Sequence, residues 1–174
     1  MMRRNIGSLA ELIIHEMTHT TLYIKGNVEF NENLATFIGE IGAEKFLTHK
    51  FKDDSIVMTN YINHRNDNRI FSEYVIASVS KLDSLYSDKA FISLTYPKKL
   101  RLKYQKIASI VLHIPKLPLK NDQRFEWNLQ NKKLPDNTWF LSYSDYHALQ
   151  PEINRVFRDS CNSSIQELIK YYKR

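Results

Sequence analysis

Apolar residues recur at helical rather than alternating spacing along most of this chain. Leu9, Leu12, Ile13, Met17 and Leu22 predict a helix near 8–25. Ser8, followed by Glu11 three residues on, forms an S-x-x-E capping box at its start, and Gly26-Asn27 supplies a stop. A second helix is predicted over 29–49. Its small residues Ala35, Gly39, Gly42 and Ala43 recur at roughly helical spacing and permit close contact with a neighbouring helix. Glycine costs a helix about 1 kcal/mol relative to alanine, so a packing reason is expected. The stretch from Lys52 to Asn66 reads as a loop. Ile70, Tyr74, Val75, Ala77, Ser78 and Leu82 mark a third helix near 69–86, and Leu100, Ile107, Ile110 and Val111 a fourth near 98–113. Pro115, Pro118 and the polar run to Pro135 predict a long loop, with shorter helices near 138–149, 152–159 and 162–172. Only four glycines are present, which disfavours many tight hairpins and supports a mainly α fold.

Three residues of the first helix conflict with simple burial. His15, Glu16 and His19 form H-E-x-x-H within an otherwise apolar run. Residues four apart lie one above the other on a helix, so two imidazoles can aim at one metal ion. Glu16 projects beside that ion, where it can take a proton from water. The motif is the signature of a zinc-dependent hydrolase.

A catalytic zinc site needs a third protein ligand and an open fourth position. Glu32 and Glu40 are the candidates on the second helix. With a helix start near Val28, Glu32 lies about as far past the turn as His19 lies before it. Glu40, about two turns on, serves only if the helix starts later. Glu29 and Glu44 read as solvated.

The run from Leu9 to Leu47 resembles the core of the predicted bacterial aminopeptidase family, a gluzincin type. That pattern is H-E-L-x-H, then a Tyr, a Gly-Asp turn and F-N-E-S-x-A. It matches His15, Glu16, His19, Tyr23, Gly26, Asn27 in place of the Asp, Phe30, Asn31, Glu32 and Ala35. The resemblance implies a helical catalytic subdomain with its active-site helix pair at the N-terminus. It also implies zinc on His15, His19 and Glu32, with Glu16 as catalytic base and a peptide as substrate. Downstream, Leu82 to Tyr86, the basic run Lys98 to Lys103, and Asp136 to Tyr146 fall in the family's order. By that similarity Asn137 and Tyr146 are counterparts of a family Asn and Tyr, and Tyr146 is the candidate to stabilise an oxyanion. Packing against Trp139 is the competing role for Tyr143 and Tyr146.

The resemblance has two departures. Family members carry a long segment before the H-E-x-x-H helix, whereas His15 here has fourteen residues before it. The chain is therefore expected to be one metallopeptidase-like domain over 1–174, the C-terminal part of a longer architecture. Second, related enzymes place an acid four residues after the ligand Glu, and here that position is Thr36. Such outer partners can matter by about 10–100-fold.

Composition narrows the rest. Hydrophobic content of 43% with 12% aromatics is globular rather than disordered. Cys161 is the single cysteine, so there is no internal disulfide and no cysteine cluster to compete for zinc. No apolar stretch reaches the ~20 residues needed to span a bilayer. As it stands the chain reads as cytoplasmic, with export or lipid anchoring open to an upstream segment. Residues 1–87 hold nine Lys/Arg against eleven Asp/Glu, and residues 88–174 sixteen against eight. Lys98, Lys99, Arg101, Lys103 and Lys106 cluster with Tyr96 and Tyr104, yet they interleave with apolar residues as on one solvated helix face, and no nucleic-acid motif accompanies them. His49, His64, His113 and His147 fit no ligand spacing. The expected function is a zinc-dependent peptidase, an aminopeptidase by resemblance. Its rivals are a shortened, inactive relative whose structural zinc supports a binding domain, and a basic helical nucleic-acid-binding protein.

Overall fold

The computed structural model describes residues 6–51, 55–121, 125 and 134–173. Among them every regular element is helical: α1 (Ile6–Thr21), α2 (Val28–Lys50), α3 (Ser55–Ser87), α4 (Lys89–Ile92), α5 (Tyr96–His113), α6 (Asn137–His147), α7 (Gln150–Asp159) and α8 (Ile165–Tyr172). A 3-10 turn, Ile114–Lys116, follows α5. The mainly α expectation holds. The contacts divide the chain into two compact units, residues up to Arg65 together with Ser144 onward, and Asn66–Tyr143.

The first unit is built on α1 and α2. Glu32 lies beside His19, Gly39 beside Glu11 and His15, and Leu47 beside Gly7, so numbers rise along one helix as they fall along the other. The pair is antiparallel. The glycines of α2 make it close: a Cβ on Gly39 would stand 2.9 Å from the Glu11 carbonyl oxygen. The core of this unit gathers Leu22, Leu34, Phe37, Ile38, Ile153, Phe157, Cys161 and Leu168, with Phe37 and Phe157 edge to face at 5.2 Å.

The turn between α1 and α2 departs from the expected capping. The helix already runs at Ile6, so Ser8 lies inside it and is not its cap. It also stops at Thr21, short of residue 25. Gly26 takes the left-handed backbone (φ 82°) that glycine adopts without cost. Asn27 is the cap of α2, its side chain accepting from the Phe30 N–H. Buried Asn31 reaches back across the turn, accepting from Ile24 N–H at 2.9 Å and donating to Ile24 O at 2.8 Å. Those two bonds fix where α2 begins relative to α1.

The loop expected from Lys52 to Asn66 is largely helix, since α3 starts at Ser55. Its β-branched and Asn residues are weak helix formers. Burial overrides that preference: Tyr61, with Val57 and Met58, packs on Ala43 and Leu47. The short α4 was not foreseen; Asp88 caps it by accepting from Ala90 and Phe91 N–H groups.

In the second unit Phe71, Val75 and Leu82 of α3 meet Ile107, Ile110 and Val111 of α5, with Ile114 and Phe140. Asp67, 1% exposed, accepts from the Lys120 and Asn121 N–H groups at 2.9 and 3.0 Å. The apolar stripe of α5 is the one read from the sequence, and Lys98 and Arg101 face solvent. The expected long loop before Pro135 falls mostly outside the described residues. No described helix is long and apolar enough to cross a membrane.

Candidate metal centre

His15 and His19 lie one turn apart on α1, as their spacing requires. Their Nε2 atoms stand 3.1 Å apart, the rings edge to face. Glu32, in the second turn of α2, brings its Oε2 to 3.3 Å from His15 Nε2 and 3.6 Å from His19 Nε2. The three side chains are 15%, 21% and 19% exposed. Together they form a group able to hold a metal ion, the ligand atoms all within 4.8 Å of one another.

The fit to zinc can be tested on these distances. Tetrahedral bonds of about 2.0–2.1 Å separate neighbouring ligand atoms by about 3.3 Å. The observed separations bracket that value. Glu32 Oε2 is also buried without a hydrogen bond among the described residues. A buried carboxylate oxygen of this kind is costly unless a cation or donor meets it. Two imidazoles and one carboxylate are the donor set of catalytic zinc sites.

Electrostatics favour ligation too. Burial lowers the His15 pKa, and His19 lowers it further, against opposing pulls from Glu32 and Glu16. His15 therefore stays neutral, with a lone pair to give. Glu16 is exposed beside the triad, near enough to act electrostatically on both His15 and Tyr146.

Glu40, the other candidate ligand, points elsewhere. It accepts from Arg65 Nε at 3.0 Å, while Arg65 Nη1 donates to Glu44 at 2.6 Å. Glu44 is thus ion-paired and not merely solvated. Glu11, expected in a capping box, instead accepts from the Tyr61 hydroxyl at 3.0 Å.

Tyr146 lies at the triad, its ring nearly parallel to that of His15 with centroids 6.2 Å apart. Burial raises its phenol pKa, and the negative charge of Glu32 raises it further. The hydroxyl is held protonated, able to donate. Tyr143 plays the other role considered, packing on Trp139 at 5.1 Å. Asn137, the other counterpart, accepts from the Tyr86 hydroxyl at 3.1 Å. Tyr23 stands on the other flank, edge-on to His19 at 6.4 Å. Thr36 is buried on α2, and His19 Nδ1 is buried with no hydrogen-bond partner among the described residues.

The family model described as Putative aminopeptidase matches residues 1–174. The chain belongs to that family. The description ties it to peptide hydrolysis at a coarse level. None of the curated proteins and none of the solved structures matches the chain. The family match spans the whole chain, well beyond the Leu9 to Leu47 core on which the resemblance was closest. His15, Glu16, His19, Glu32 and Tyr146 all lie in the first unit.

Sequence reasoning assigned no role to two residues beside this site. Asn33, fully buried, donates to the carbonyls of Glu29 and Asp145 and accepts from Leu149 N–H. Gln150 donates to the carbonyls of Asn33 and Tyr146. For Asn33 the available signal was an asparagine within a predicted helix, where that residue is disfavoured unless satisfied; Gln150 carried no such signal.

Proposed function

We propose that this protein is a zinc-dependent peptidase of the gluzincin type, an aminopeptidase by its family. His15, His19 and Glu32 would hold the ion. The observation that carries the reading is the convergence of their three ligand atoms beside Glu16.

A bound zinc supplies Lewis acidity and brings the pKa of its water from 15.7 to about 7. Glu16 accepts a proton from the attacking water and delivers it to the leaving amine as the peptide bond breaks. Tyr146, protonated and flanking His15, donates a hydrogen bond to the oxyanion that develops on the scissile carbonyl. An ion held by His15, His19 and Glu32 would share that charge with Tyr146.

Glu16→Gln tests this division of labour. The variant keeps the three ligands and should retain zinc at wild-type stoichiometry by elemental analysis. Its turnover of aminoacyl coumarylamides and quenched peptides should fall by about 10²–10⁴-fold, the usual contribution of a general base. Cleavage at the wild-type rate would overturn the mechanism.

A further inference from the structure

We infer that Gln150 and Asn33 are positioning residues that hold Tyr146 in register with Glu32, an inference that rests on the proposed peptidase mechanism. Tyr146 is 41% exposed, so core packing alone does not fix it. Its backbone is fixed instead. Asn33, the residue after Glu32, grips both sides of Tyr146: its Nδ2 donates to Asp145 O at 2.6 Å and its Oδ1 accepts from Leu149 N–H at 2.9 Å. Gln150 completes the grip, its Nε2 donating to Asn33 O at 2.8 Å and to Tyr146 O at 3.2 Å. The peptide groups of Asp145 and Leu149 are thus bonded directly to the residue adjoining the carboxylate ligand, and that of Tyr146 is joined to it through Gln150.

The arrangement has a chemical purpose. An oxyanion donor acts only when its proton lies within hydrogen-bond distance of the developing charge. A displacement of about 1 Å can cost about 10²-fold in rate. Asp145, the residue before Tyr146, lies 112 positions further along the chain than Asn33. The placement of Tyr146 against Glu32 therefore needs a tertiary tie. Gln150 supplies one whose removal leaves the metal ligands, Glu16 and the phenol itself intact. Its side chain meets the α2 backbone and the end of α6, not the reacting atoms.

A double-mutant cycle tests the inference with the zinc-loaded full chain and aminoacyl coumarylamides. Tyr146→Phe should lower kcat by about 10²-fold, the usual effect of losing one oxyanion donor. Gln150→Leu and Gln150→Ala should each lower kcat by about tenfold, with KM within about twofold and zinc content unchanged. Combined with Tyr146→Phe, neither Gln150 variant should slow the enzyme further. That non-additivity is the signature of acting through Tyr146. A purely structural role would multiply the two losses, and that result overturns the inference. So does wild-type kcat in both Gln150 variants. Undiminished cleavage by Glu16→Gln would instead overturn the underlying mechanism, so the two failures are distinguishable.

Discussion

Arg65 answers two carboxylates at once, Glu40 through Nε and Glu44 through Nη1. Burial pushes the Glu40 carboxyl above its ordinary range, and the guanidinium pulls it part of the way back. Arg65→Met would leave that carboxylate without its cation. Breaking a fully buried pair costs about 3–5 kcal/mol, and this one is partly exposed, so a loss of about 1–3 kcal/mol is expected. The sign with pH follows from linkage. A carboxyl with a raised pKa binds more protons folded than unfolded, so its contribution is whole at low pH and fades as pH rises through the folded value. Removing Arg65 extends that fade upward. Urea denaturation should therefore show a larger loss for Arg65→Met near pH 8 than near pH 5, and equal losses would acquit Glu40. Residue types alone made Glu40 look like a ligand candidate. The helix start at Val28 already turns Glu32 toward the histidines, and Arg65, distant in sequence and hidden in a predicted loop, accounts for where Glu40 goes instead.

The α1–α2 pair was the most legible element, because H-E-x-x-H, small residues at helical spacing and Gly26-Asn27 all report the same hairpin of helices. What could not be read was which small residue matters most. A Cβ at Gly39 would lie 2.9 Å from the Glu11 backbone oxygen and 3.5 Å from His15 Cβ, so the helices themselves must part. At Gly42 the obstacles are side-chain atoms and not backbone, Ile14 Cδ1 at 2.9 Å and Cγ2 at 3.0 Å, which a small shift of that one side chain can relieve. Alanine is also the better helix former by about 1 kcal/mol, which offsets part of either clash. Gly39→Ala is expected to destabilise by about 1–3 kcal/mol and to weaken zinc binding, while Gly42→Ala stays within about 1 kcal/mol of wild type. Thermal melts with zinc titration check both, and the reverse ranking would contradict this packing. The first turns of α3 were illegible for a different reason. Their helix depends on Tyr61 being buried against Leu47, a contact that local propensity does not contain. The Ser8-Glu11 box misled because a capping pattern can also occur inside a helix.

At the scale of the molecule, the candidate metal site and the core of Leu22, Leu34, Phe37 and Phe157 belong to a unit made from the two ends of the chain. The motif was visible because its spacing is local. Tyr146 was suggested only by resemblance, since nothing in spacing brings it to His15. A bound ion would tie this unit together, because it joins α1 to α2 where Glu32 Oε2 otherwise lies buried without a hydrogen bond among the described residues. An ion that binds only the folded state stabilises by RT ln(1 + [Zn]/Kd), about 4.1 kcal/mol at a thousandfold excess over Kd. For a chain of this length each kcal/mol moves Tm by about 2–4 °C, so zinc saturation should raise Tm by about 8–16 °C over chelator-treated protein. Glu16→Gln should keep the whole rise, because Glu16 works on water and holds no ion. His15→Ala and Glu32→Ala should lose most of it, each leaving two donors where three are needed. Binding should weaken as pH falls, protons competing for the His15 imidazole only below its ordinary range because burial lowers its pKa. A full zinc-dependent rise in His15→Ala would put the ion elsewhere in the protein, and H-E-x-x-H would then be a helix face and nothing more.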